Sequence, residues 1–198
     1  MDKVTGQITL EELKQMQKEW MQDCVHNLLK LRDERKWQDF VDFALFHPEC
    51  LWFAFNFYNE VPDELKYEFA IHAYSHHGDS IPKVRKAVRS ALKYGKPIFP
   101  PEIQNAEEIT VYRAGEEPIQ KAKYRISWTT DINTALFFLN TYNMRHAQHL
   151  YQAKIKPCKV IAYYNDRDES EIMQYGNVYD IVDITATATQ ESVNKKGM

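Results

Sequence analysis

Apolar residues recur three or four positions apart through the first hundred residues and alternate through much of the second, so the chain divides into a helical half and a strand-rich half. Thr9 followed by Glu12 is a capping-box pattern, in which side chain and backbone satisfy each other's hydrogen bonds, and a helix is expected to start there. Leu13, Met16, Trp20, Cys24, Leu28 and Leu31 then share one face of a helix running to about Arg32, which turns them to a core or a partner. A second helix is expected from Trp37 to Phe46, closed by Pro48, whose ring disfavours helical geometry at His47. The run from Leu51 to Tyr58 is too densely apolar to show a period; helix and buried strand both fit, with helix favoured. Pro62 suits a first turn, and Leu65, Phe69 and Ala73 keep helical spacing between Asp63 and His76 until Gly78 stops it. The next helix has Ser80 as its expected cap and Pro82 in its first turn. Its apolar stripe is Val84, Ala87, Val88, Ala91 and Leu92, and Gly95 with Pro97 ends it.

Pro97, Pro100 and Pro101 make 96–107 an extended connector, after which the period changes. Ile109, Val111 and Arg113 alternate with Thr110, Tyr112 and Ala114, predicting a strand rich in β-branched residues. A short strand is expected from Ile126 to Trp128. A helix follows from about Asp131 to Tyr142 with Ala135, Leu136 and Leu139 inward. Further strands are expected at His149 to Ile155, Lys159 to Tyr164, Glu171 to Gln174 and Val178 to Ile184, with a loosely held tail from Thr185. The expected class is α+β: a helical segment (1–95), a connector (96–107), a core (108–184) and a tail (185–198).

Composition narrows the function classes. With 198 residues, 44% hydrophobic and 27% charged, the chain matches a folded globular protein and neither a disordered nor a membrane one. A net charge of −3 supplies no global basic field for nucleic acid. Cys24, Cys50 and Cys158 are far apart in the chain and form no C-x-x-C pair; with an opening stretch that lacks signal-peptide character, this leads to a cytoplasmic expectation.

Three features carry candidate chemistry. Alternation puts Arg113 on the interior side with Ile109 and Val111, where a permanent charge needs an anion: a structural carboxylate, or a phosphate held by the planar guanidinium fork. Ser127-Trp128-Thr129-Thr130-Asp131 is a hydroxyl-rich strand end running into a helix, with Thr130 or Asp131 fit to cap it. The run Asp166-Arg167-Asp168-Glu169-Ser170-Glu171 is a charged loop entering a strand, and in extended backbone Glu169 and Glu171 would project to one side. Two weaker features read as structural. His72 and His76 have zinc-compatible spacing without a third ligand, and Lys83, Arg85, Lys86, Arg89, Lys93 and Lys96 make one helix face basic and solvated.

In order, Val111-Tyr112-Arg113, Ile126-Ser127-Trp128-Thr129-Thr130 with Ala135 and Phe138 downstream, and Glu169-Ser170-Glu171-Ile172 resemble the arginine, serine-x-serine/threonine and E-x-E series of mono-ADP-ribosyltransferases. The resemblance covers less than half the chain. It implies a split, twisted β-sandwich core that binds NAD as substrate and needs no metal. On it, Arg113 with Tyr112 would hold an NAD phosphate, and Ser127, Trp128 and Thr129 would line the nicotinamide half. Glu171 would be the catalytic glutamate, oriented by Ser127, and Glu169 would face the acceptor, which a glutamate at that place implies to be arginine. Trp128 and Ala114 depart from the small residues common at those places, and Trp128 is either a buried wall or a ring near nicotinamide. The expected partners are NAD and a macromolecular target, protein rather than nucleic acid, with no membrane. Water as acceptor, giving an NAD glycohydrolase, would use the same residues. A non-catalytic binding protein would act through the helical half.

Overall fold

Prolines mark three of the helix starts in the first half, and the helices bury much of the stripe that the spacing marks. A computed structural model describes residues 10–141, 147–165, 169–176 and 178–188. It separates into two units, 1–94 and 95–198. In the first, α1 (Leu10–Asp33), α2 (Trp37–Phe46), α3 (Pro48–Ala54), α4 (Asp63–His77) and α5 (Pro82–Ser90) pack in a succession in which α1, α2 and α3 meet one another, α2 meets α4, and α4 meets α5. Cys24 and Leu28 of α1, Phe40 and Ala44 of α2, Leu51 of α3, Phe69 of α4 and Val84 of α5 are buried. Phe40 sets its ring edge-on against Phe57 and Phe69, geometry that aromatic quadrupoles favour.

Several expectations shift here for local reasons. Thr9 lies outside the described residues. Trp20, expected in the buried stripe of α1, is 47% exposed. The dense run from Leu51 resolves as the end of α3 followed by turns, with Leu51, Ala54 and Phe55 inside and Trp52 outside. Ser80 does not cap α5: its hydroxyl donates to the His77 carbonyl at 2.6 Å, closing the end of α4, and α5 starts on Pro82 with no side-chain cap.

The second unit holds β1 (Ile109–Gly115), β2 (Ser127–Thr129), β3 (His149–Ile155), β4 (Val160–Tyr164), β5 (Glu171–Gln174) and β6 (Tyr179–Asp183) in one antiparallel sheet ordered β4-β5-β2-β1-β3-β6. The chain is thus of mixed α+β class. Tyr112 and Thr129 form the one registered pair between β1 and β2, whereas seven pairs join β1 to β3. The sheet is therefore pinched at its middle into β4-β5-β2 and β1-β3-β6.

Alternation gives the sheet two differently covered faces. Ile109, Val111, Trp128, Tyr151, Ile155 and Ile172 form the larger core, joined by Ile103 of α6 (Pro101–Gln104) and Ala122 of α7 (Ile119–Ala122). The proline-rich stretch after Gly95 therefore belongs to this unit, with Phe99 and Ala106 packed on its core. On the other face α8 (Ile132–Thr141) sets Ala135 and Leu139 against Leu150, with Tyr112, Ala114 and Leu136 at the margin. Tyr142, the expected end of that helix, lies outside the described residues. Ala188 packs into the same cluster and Thr185 accepts the Leu150 N–H at 2.8 Å, so the first residues after β6 are tied down.

Candidate active site

Cross-strand register decides which of the candidate residues share a face, because directly paired residues in antiparallel strands point the same way. Thr129 pairs with Tyr112 on one side and with Glu171 on the other, and Glu171 pairs with Tyr164. Tyr164, Glu171, Thr129 and Tyr112 thus form one row across β4, β5, β2 and β1. Ser127, two residues from Thr129, stands on the same face opposite Met173. Glu171 is buried at the threshold of β5.

The two polar motifs are also sewn together through backbone. The Thr129 hydroxyl donates to the Glu169 carbonyl at 2.6 Å, and the Thr130 N–H donates to the Ser170 carbonyl at 3.1 Å. Ser170 takes φ 45°, and its N–H and hydroxyl both donate to the Asn165 side-chain oxygen, at 2.8 and 3.2 Å. That left-handed residue interrupts the extended backbone, so Glu169 and Glu171 are not placed side by side by two-residue alternation. Glu171 opens the strand while Glu169 belongs to the turn before it. Asp166, Arg167 and Asp168 lie outside the described residues.

Downstream, Asp131 caps α8: its carboxylate accepts the Asn133 N–H at 2.9 Å and the Thr134 hydroxyl at 3.1 Å. Burial pushes this carboxyl up, but the hydrogen bonds from Asn133 and Thr134 outweigh it and hold the group below its usual value.

Arg113 and Trp128 stand on the opposite face, towards the larger core. Trp128 is a buried wall, 2% exposed, and its Nε1–H donates to the Arg125 carbonyl at 3.0 Å. Arg113 reaches across the pinch: its Nη1 donates to the Ser127 carbonyl at 2.8 Å and its Nε to Glu117 at 3.2 Å. The anion that Arg113 meets in this structure is therefore a carboxylate, and the same Glu117 oxygen accepts Arg125 Nε at 2.8 Å. Burial raises the Glu117 carboxyl, but the Arg113 guanidinium first, then a backbone N–H and Arg125, more than offset this and hold it below its ordinary range. Gly115 leaves room for that carboxylate; a Cβ there would stand 2.7 Å from Glu117 Oε2.

Glu117 escaped sequence reading because nothing in its neighbourhood marks it. The signal that existed was its spacing of four from Arg113 across a Gly-Glu turn and ahead of Pro118, where the chain reverses.

Compared with protein-family models, with curated proteins and with solved structures, the chain matches none.

Proposed function

We propose that the second unit is an NAD-dependent mono-ADP-ribosyltransferase core and that the pinched sheet corresponds to the split, twisted β-sandwich the motif resemblance implies. The observation that carries this reading is the adjacency of β1, β2 and β5. Three motifs separated by up to about sixty residues of sequence are brought together by one register, with Thr129 and Thr130 clasping the turn that bears Glu169 and Glu171.

The chemistry asked of the site is cleavage of the bond between nicotinamide and ribose C1′. The bonding electron pair leaves with nicotinamide and neutralises its pyridinium charge, and positive oxocarbenium character grows on the sugar. A buried carboxylate at Glu171, held against the ribose 2′-hydroxyl, stabilises that charge where it develops. The acceptor's nucleophile then bonds to C1′ and gives up its proton, a step for which Glu169 stands in the neighbouring turn. Arg113 projects from the opposite face, where Glu117 and the Ser127 carbonyl hold it, so in this reading it braces the junction of β1 and β2 and does not share the Glu171 row. Tyr112 and Thr129 share the Glu171 row, whereas Trp128 acts from the core side as a wall.

The test is incubation of purified protein with NAD labelled in its adenylate half and a mixture of proteins. Label retained on a protein supports transfer, to arginine if the linkage has arginine's chemistry. Free ADP-ribose alone assigns water as the acceptor, and unchanged NAD in all mixtures refutes the reading.

A further inference from the structure

The helical unit contains a polar cluster that the proposed reaction does not use. Cys24 lies on the inner face of α1, His47 joins α2 to α3, and Glu49 and Cys50 occupy the first turn of α3. Glu49 Oε1 is 3.2 Å from His47 Nδ1 and 3.6 Å from Cys24 Sγ. One ligand atom from each of Cys24, His47 and Glu49 lies within 4.8 Å of the other two.

These spacings can be compared with a coordination sphere. Zinc binds nitrogen and oxygen at about 2.0 Å and thiolate sulfur at about 2.3 Å in tetrahedral geometry, which sets ligand edges of about 3.3 Å between N and O and about 3.5 Å between S and O. The two observed separations match those edges closely. The donor set, one thiolate, one imidazole and one carboxylate, is also the mixture that suits this ion and not magnesium or calcium, which take oxygen alone.

We propose that Cys24, His47 and Glu49 form a binding site for a thiophilic divalent cation of the zinc class, with water at the fourth corner. The surroundings restrict the ligands as a metal site requires. The His47 ring is packed by Phe43 at 4.2 Å, Phe46 at 5.3 Å and Trp20 at 6.0 Å between centroids. Cys50, fully buried, donates its thiol to the His47 carbonyl at 3.3 Å and so fixes the backbone of the second ligand. Trp20 and Phe46, 47% and 82% exposed, are the solvent-facing members of this ring cluster around His47. Binding forms the sulfur–metal bond, releases the Cys24 thiol proton to solvent, and ties α1 to the α2–α3 junction.

The experiment adds cobalt(II), then zinc(II), to the full-length metal-free chain and records absorption. One cobalt per chain is expected, with a near-ultraviolet thiolate-to-cobalt band and the intense visible bands of four-coordinate cobalt, both removed by an equivalent of zinc. Cys24→Ser should abolish the near-ultraviolet band. Glu49→Gln and His47→Gln, at partly exposed positions, should weaken cobalt binding by about tenfold or more while leaving the far-ultraviolet circular dichroism unchanged. Cys158→Ser, which alters the exposed cysteine, should change nothing. Absence of the band in the unaltered chain, its survival in Cys24→Ser, or its loss in Cys158→Ser would overturn the proposal.

Discussion

Glu117 gathers the charged side chains beside the pinch. Its carboxylate, 7% exposed, serves two guanidiniums, of which Arg113 also reaches into β2. Removing it would leave both arginines facing a half-buried gap; partial solvent access limits the loss, and Glu117→Ala should cost about 2 kcal/mol in urea unfolding. The same pairing sets an acid limit. The unfolded carboxyl takes up its proton near pH ~4.3, whereas the folded one, held lower, does so only at more acid pH. Its contribution is full above the unfolded value and is lost as pH falls through the folded one, so Glu117→Gln should flatten the fall in stability below that pH. A stability profile of the variant parallel to that of the unaltered chain would contradict this. Thr129 acts differently, by holding the turn before Glu171. Thr129→Val keeps volume but drops the bond to the Glu169 carbonyl, and nicotinamide release should fall on the order of tenfold, in kcat more than in KM, with the fold retained by circular dichroism.

At the scale of elements, α8 is anchored at its start by Asp131. Asp131→Ala should destabilise the protein by about 1 kcal/mol, read from thermal unfolding, whereas Asp131→Asn should recover most of that loss. Most such elements were legible in the chain, because a buried stripe at period 3.6 or 2 leaves its mark whatever the tertiary arrangement: α2, α4, β1 and β3 fall within a residue or two of where spacing places them, whereas α5 stops at Ser90 and gives way to a 3-10 turn short of the expected end at Gly95. What was not legible depends on partners distant in sequence. Arg113 shows that it needs an anion but not that Glu117 supplies it, and Cys24 gives no sign of standing beside His47, Glu49 and Cys50. Local conformation hid the rest. Ser170 in the left-handed region breaks the alternation that would have aligned Glu169 with Glu171, and Ser80 turns back to α4 because the chain makes a further turn before α5 begins.

For the whole molecule, the division at Tyr94 and Gly95 is a physical one: the helical unit and the sheet unit each have their own core. Limited tryptic digestion should cut first after Lys93, since Lys96 is protected by Pro97, and release two resistant fragments; early cuts within α4 or β3 would contradict the division. Among the described residues no helix is long and apolar enough to cross a membrane. The central claim is that the row across β1, β2 and β5 cleaves NAD with Glu171. It is tested most directly by measuring nicotinamide released from NAD by the full chain and by a folded Glu171→Gln variant. Release by the unaltered chain that falls by about a hundredfold or more in the variant is the expected result. Equal release by the two proteins, or none by either with any acceptor mixture, would contradict it.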